Sequence, residues 1–235
     1  MEDHVEAKLD WFHCNRSQLD EPEVAEKLLN NRGVYIFKYR NDAGSRVSYV
    51  GKVVVNTFKH RLVEHFRFFY GCTYPLYRID KNKDFLHFLA DEILGRKVDE
   101  SHLVNHQNIC WYREVKSQNY FAEAFQNSVK KRANFIEDHL NCLEFSFASV
   151  SVDGQPADKS VVGYIESMIG RAIHKLYIEE LSVRLNVSPN HKCLRWPNGR
   201  SDDTIVGRHS SQKASRFMSI THTNPPEEIV SLSFT

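Results

Sequence analysis

Gly33-Val34-Tyr35, then Tyr49-Val50-Gly51-Lys52, then Arg61 and His65 form the stretch on which the reading of this chain turns. Val34 to Tyr39 is rich in β-branched and aromatic residues, Asn41-Asp42-Ala43-Gly44 is a turn signal, and Val47 to Val55 is β-rich again. That pattern predicts a β-hairpin. Asn56 or Thr57 can cap the next helix. Phe58, Leu62, Phe66 and Phe69 then recur at helical spacing, with Gly71 as a stop. Arg61 and His65, four residues apart, share a face of that helix. Two tyrosines, a lysine, an arginine and a histidine in so short a span are poor core material and good material for handling a phosphate.

The same residues resemble the GIY-YIG nuclease family. Gly33-Val34-Tyr35 stands for the first half of the family signature and Tyr49-Val50-Gly51 for the second. Arg61 and His65 stand where the family carries its helix arginine and a following histidine or tyrosine. The family also needs a metal-binding glutamate on a later helix. Glu166 matches it, in Gly163-Tyr164-Ile165-Glu166-Ser167-Met168-Ile169, after a strand-like run from Leu143 to Val152. The resemblance is dense over residues 33–69, thin over 143–175 and absent elsewhere.

The resemblance implies an α/β (α+β) fold: a small antiparallel three-stranded sheet flanked by helices, with a helical insertion and a basic, irregular C-terminal tail. The implied organisation is an N-terminal helical segment over 1–32, a catalytic core over 33–181 interrupted by an insertion at 72–142, and a C-terminal extension over 182–235. It also implies phosphodiester hydrolysis in DNA. Tyr35 is then the general base, and nearby positive charge from Lys52, His65 and a metal ion would bring its pKa down from the ordinary ~10. Tyr49 positions the water or a phosphate oxygen, and Arg61 grips the phosphate with its planar fork of donors. Glu166 holds one Mg²⁺ or Mn²⁺, hard ions that favour oxygen ligands. The family asparagine has no match where it is expected, since that interval is Ile178 to Glu180; Asn186, Asn190 and Asn198 are the nearest downstream.

Each of these residues also has an ordinary structural use. Strand tyrosines pack, Arg61 and His65 can be a solvated helix face, and Glu166 can be a surface carboxylate. The ordered coincidence of the set, rather than any member, carries the functional reading.

Composition frames it. In 235 residues, 41% hydrophobic and 26% charged, the chain has the make-up of an ordinary globular protein. No run is long enough to cross a membrane, and the acidic N-terminus lacks a signal-peptide pattern. Five scattered cysteines without a CxxC pair point to a reducing, cytoplasmic setting rather than a disulfide framework. His13-Cys14 and His191-x-Cys193 are too nonspecific in spacing to define a zinc site. The net charge of +1 conceals an uneven distribution: residues 1–30 carry a net of −5, and residues 38–67 and 184–216 each carry +5. Two basic segments suit a phosphate backbone. Lys59 and Arg67 on the helix, and Arg195, Arg200 and Arg208 in the tail, are the candidate DNA contacts.

Further along, the pattern predicts a helix from about Asp20 with Pro22 in its first turn. Helices follow near Asp84–Leu94 and Tyr120–Leu140, with a strand near Ile109–Val115 between them. After the Leu143 strand and an Asp153-Gly154 turn, Ser160 caps a helix to about Leu181. Short strands close the chain at Phe217–Ile220 and Ile229–Phe234. With no linker or appended module, the layout resembles the restriction endonucleases of the family, where the DNA-reading elements surround the core. A palindromic target favours a symmetric homodimer. The alternatives are a repair or phage-defence nuclease of the same family, or a nucleic-acid-binding protein that no longer cleaves.

Overall fold

A computed structural model describes residues 5–71, 84, 86, 129–189 and 218–230. It is a mixed α/β structure. Strand β1 (Val5–Asn15) leads through a short 3₁₀ turn to helix α1 (Pro22–Asn30), the hairpin β2 (Gly33–Asn41) and β3 (Gly44–Val53), and helix α2 (Phe58–Tyr70). Helix α3 (Val129–Asn141) runs directly into β4 (Leu143–Val152), which is followed by β5 (Gln155–Pro156) and the long helix α4 (Lys159–Leu185). Strand β6 (Met218–Thr223) and helix α5 (Glu227–Val230) complete the described chain.

The sheet has the order β3-β2-β4-β1-β6, with β5 paired to β4. Pairing is antiparallel except between β1 and β6, which run parallel. The sheet is therefore mixed and wider than three antiparallel strands.

The widening corrects the expected helical N-terminus, because residues 5–15 form a central strand. The signal was an alternation: Ala7, Leu9 and Trp11 are buried while Glu6, Lys8 and Asp10 are exposed. Charged residues at every second position belong to a half-buried strand as readily as to a solvated segment. β6 closes the opposite edge, where Trp11 Nε1 donates to His222 Nδ1 at 3.1 Å. Of the expected strand at Ile229–Phe234 only Ile229 and Val230 are described, and they belong to α5, with the Pro226 carbonyl accepting from Ile229 N–H at 2.9 Å and Glu227 and Glu228 in the first turn. Acidic residues there suit the positive end of the helix dipole.

The core follows from the alternation of β2, β3 and β4. Tyr35, Phe37, Phe145 and Phe147 face α2 and are buried with its Phe58 and Phe69. Each such side chain contributes about 1.5–3 kcal/mol on burial. α2 buries Phe58, Leu62 and Phe69 of the predicted stripe, with His65 in place of the half-buried Phe66, and ends at Gly71. α4 lies against β2 and β3. Its cap is Asp158, two residues before Ser160: the carboxylate accepts from Ser160 N–H at 2.8 Å and Val161 N–H at 2.9 Å. It ends at Asn186, which takes the left-handed conformation at φ +52°.

Residues 84, 86 and 129–142, the described part of the 72–142 insertion, rest on the core. Leu86 is fully buried, and Asp84 accepts from Arg46 Nε at 3.2 Å and from Arg184 Nη2 at 3.3 Å. α3 brings His139 against Tyr39 and Phe69. The predicted strand at Ile109–Val115 lies outside the described residues, as do most of the predicted helix after Asp84 and the start of the one from Tyr120. So does 190–217, the bulk of the basic tail.

Candidate active site

The hairpin register sets the site. Tyr35 pairs with Gly51 and Phe37 with Tyr49, so Tyr35 and Tyr49 are diagonal neighbours on one face, ring centroids 5.8 Å apart. Both rings lean across the strand at Gly51. A Cβ there would fall 2.5 Å from Tyr35 Cζ and Oη and 2.6 Å from Tyr49 Cε1. Residue 51 is glycine because two tyrosines occupy its side-chain space. Gly33 answers a different demand: its φ of +151° is left-handed backbone, and a Cβ would collide with the Ala148 carbonyl of β4.

α2 brings two further groups to Tyr35. Its hydroxyl bonds His65 Nε2 at 2.6 Å and accepts from Arg61 Nε at 3.1 Å. Assigning the Tyr35 proton to His65 Nε2 satisfies both bonds, since the Arg61 N–H only donates. Arg61 is held from its other side by Glu64, whose carboxylate accepts from Nη1 at 2.6 Å. Tyr49 packs on His65 with ring centroids 5.0 Å apart. The hairpin and α2 thus bring Tyr35, Tyr49, Arg61 and His65 into one hydrogen-bonded and stacked cluster.

The electrostatics of the cluster differ from the sequence-based expectation. Tyr35 is 1% exposed, and burial pushes its pKa well above the ordinary value. The neighbouring Tyr49 adds to that rise, while the charge and hydrogen bond of Arg61 oppose it. Burial, and then Arg61, push His65 down to about 3, so it is neutral. His65 therefore does not supply positive charge to Tyr35; it supplies an acceptor nitrogen. Arg61 pays for burial too, but Tyr35 and Glu64 outweigh that and hold its pKa above the ordinary value.

Lys52 and Glu166 form the second part of the site. The register from Gly33↔Val53 to Phe37↔Tyr49 is unbroken. Lys52 therefore leaves β3 on the face opposite Tyr49 and Gly51. There its Nζ meets Glu166 Oε2 at 2.8 Å. Glu166 is buried, at 9% exposure, and Gly163 one turn before it lies beneath the Lys52 ammonium. The structure thus gathers Tyr35, Tyr49, Arg61 and His65 on one face of the hairpin and places Lys52 and Glu166 on the other, so the neighbours that shift Tyr35 are Tyr49 and Arg61 rather than the expected Lys52.

No family model, curated protein or solved structure matches the chain. The site is therefore read from its own geometry.

Lys59 and Arg67 are exposed on α2, whereas Arg195, Arg200 and Arg208 lie outside the described residues. Asn186 is not a neighbour of Glu166. It closes the same continuous helix 20 residues on, roughly 30 Å away at 1.5 Å per residue. Asn190 and Asn198 lie outside the described residues. Among the described residues no group of three or more His, Cys, Asp or Glu could hold a metal ion, and no helix is long and apolar enough to cross a membrane. A single carboxylate still suits Mg²⁺, which takes one or two carboxylates and fills its remaining positions with water and substrate phosphate. Glu166 has the hard oxygen donors for that role.

Three contributors went unread in the sequence. Glu64 was legible as a carboxylate three residues after Arg61, the spacing of a helix ion pair. Gly51 and Gly163 stood in the quoted motifs, but their purpose depends on side chains that approach from elsewhere. A groove of about 1120 Å³ toward the β2–β3 turn is lined by His13, Lys38, Arg40, Glu144 and Glu228. It lacks the tyrosine cluster, and its cations are already engaged: Arg40 and Lys38 pair with Glu144, and Lys38 also with Glu228.

Proposed function

We propose that this chain is a metal-dependent DNA endonuclease of the GIY-YIG type, acting as a sequence-specific type II restriction enzyme. The observation that carries the reading is the Tyr35–His65–Arg61 hydrogen-bonded cluster, built where the two tripeptides cross. The antiparallel run β3-β2-β4, the α2 helix after the hairpin and the later Glu166 helix follow in the order that the resemblance requires. On this reading β3-β2-β4 is the three-stranded catalytic core, and β1 and β6 are additions to it.

Phosphodiester hydrolysis needs a base, a grip on phosphoryl charge and help for the leaving oxygen. Arg61 leaves Glu64 for the phosphate, which also uncovers the Tyr35 hydroxyl. Tyr35 takes a proton from the attacking water as it hands its own to His65 Nε2. The relay avoids a free tyrosinate but charges His65, which burial and Arg61 hold neutral at rest; the departure of Arg61 to the phosphate removes the second of these oppositions. Tyr49 holds the water or a phosphate oxygen in place. Glu166 would hold Mg²⁺ or Mn²⁺, which supplies charge stabilisation at the phosphate. Lys59 and Arg67 give α2 an exposed basic surface for the DNA backbone, and Arg195, Arg200 and Arg208 are the further candidate DNA contacts in the basic tail. Cutting both strands of a palindromic site calls for two copies of the chain.

The near-complete burial of Tyr35 favours a second reading, a nucleic-acid-binding protein that does not cleave. Incubating the purified chain with plasmid DNA and Mg²⁺ separates the two. Discrete fragments support the restriction enzyme and a smear a nonspecific nuclease of the same chemistry. Intact DNA that is nevertheless bound supports the non-cleaving protein.

A further inference from the structure

We propose that Lys52 is the resident counter-cation of Glu166 and that a divalent ion takes its place, freeing the ammonium for phosphate. The inference rests on the metal role proposed for Glu166 and concerns how that role is regulated.

Three observations carry it. The Lys52 ammonium sits on Glu166 Oε2 at 2.8 Å, and the Glu166 side chain is only 11% exposed. A carboxylate so enclosed requires a charge partner, and Lys52 provides one. Residue 163, one turn before Glu166 on α4, is glycine; a Cβ there would come within 3.3 Å of Lys52 Nζ. Helix α4 is thus hollowed where the ammonium rests, which makes the pair a fitted seat. The Lys52 side chain remains 31% exposed. It therefore has a route to solvent, which it can take once another cation neutralises Glu166.

One carboxylate cannot serve both cations well. A divalent ion on Glu166 would face the lysine charge within a few ångströms, and like charges at that range repel strongly outside bulk water. Exchange resolves the conflict. The carboxylate stays neutralised before and after, and Lys52 gains three free N–H donors on the α4 side of β3, across the strand from the Tyr35 hydroxyl. The chain would then grip phosphate fully only after its metal has bound.

The test is Mn²⁺ binding to the full chain in the absence of DNA, read by the electron paramagnetic resonance of free Mn²⁺. Lys52→Met keeps the aliphatic stem and removes the competitor, so it should bind Mn²⁺ about tenfold tighter than wild type. Glu166→Gln should lose the site. Equal or weaker binding by Lys52→Met would overturn the proposal. A second measurement needs no variant chain to bind metal: in wild-type protein with ¹³C-labelled lysine, saturating Mg²⁺ should move the Lys52 ε-carbon resonance toward those of solvent-exposed lysines. A Lys52 resonance unmoved at saturation would overturn the exchange. If exchange is seen and DNA is nevertheless left intact, the exchange stands and the nuclease reading falls.

Discussion

Gly51→Ala adds one methyl group and tests the geometry of the cluster more sharply than removing any of its polar groups. The new Cβ would sit 2.5 Å from the Tyr35 hydroxyl end and 2.6 Å from Tyr49 Cε1. Ordinary carbon contacts lie at about 3.5–4.0 Å, so each ring must retreat by roughly 1 Å. Tyr35 has nowhere to go. Phe37, Phe147 and Phe58 surround it at centroid distances of 5.4, 6.1 and 6.4 Å. Overpacking of this kind costs about 1–3 kcal/mol. Displacing the hydroxyl also stretches its 2.6 Å bond to His65, and a misplacement of about 1 Å in a catalytic group can cost on the order of 100-fold in rate. Urea denaturation should show the stability loss, and plasmid cleavage should show the larger loss of rate in protein that remains folded. A Gly51→Ala chain with stability within about 0.5 kcal/mol of wild type and an unchanged cleavage rate would refute the packing argument.

Other outcomes follow from the same geometry. Because His65 is held down at about 3 in the folded chain against an ordinary ~6.5, its contribution to stability is complete above pH ~6.5 and falls away as the pH drops toward 3. Denaturant midpoints measured from pH 7 to pH 4.5 should decline less steeply in His65→Asn than in wild type. Arg61→Ala and Glu166→Gln should each slow cleavage by on the order of 100- to 1000-fold, with DNA binding in gel-shift assays largely retained. Leu86→Ala should cost about 2–5 kcal/mol in denaturant titrations, since its side chain anchors the insertion in the core.

The elements that bear the site were legible because their patterns are local. The β-branched and aromatic runs around the Asn41–Gly44 turn specify a hairpin, and the spacing of Phe58, Leu62 and Phe69 specifies α2. What escaped was nonlocal. The parallel pairing of β1 with β6 joins residues more than 200 positions apart, and the alternation in β1 was masked by its acidic residues. The protonation state of His65 was also out of reach. A histidine four residues after an arginine reads as a charged helix face until Tyr35, Phe37 and Tyr49 are seen to enclose it. Likewise, residue spacing says nothing of which strand face Lys52 takes; only the register of β3 against β2 places it with Glu166 rather than with the tyrosines.

Tyr35→Phe compared with wild type on Mg²⁺-supplemented plasmid DNA tests the central claim most directly, because it deletes one hydroxyl and little packing. The account predicts discrete fragments from wild type, and cleavage by Tyr35→Phe slower by on the order of 100- to 1000-fold across the pH range. Plasmid left intact by the wild-type chain, or cut at equal rates by both, would contradict it.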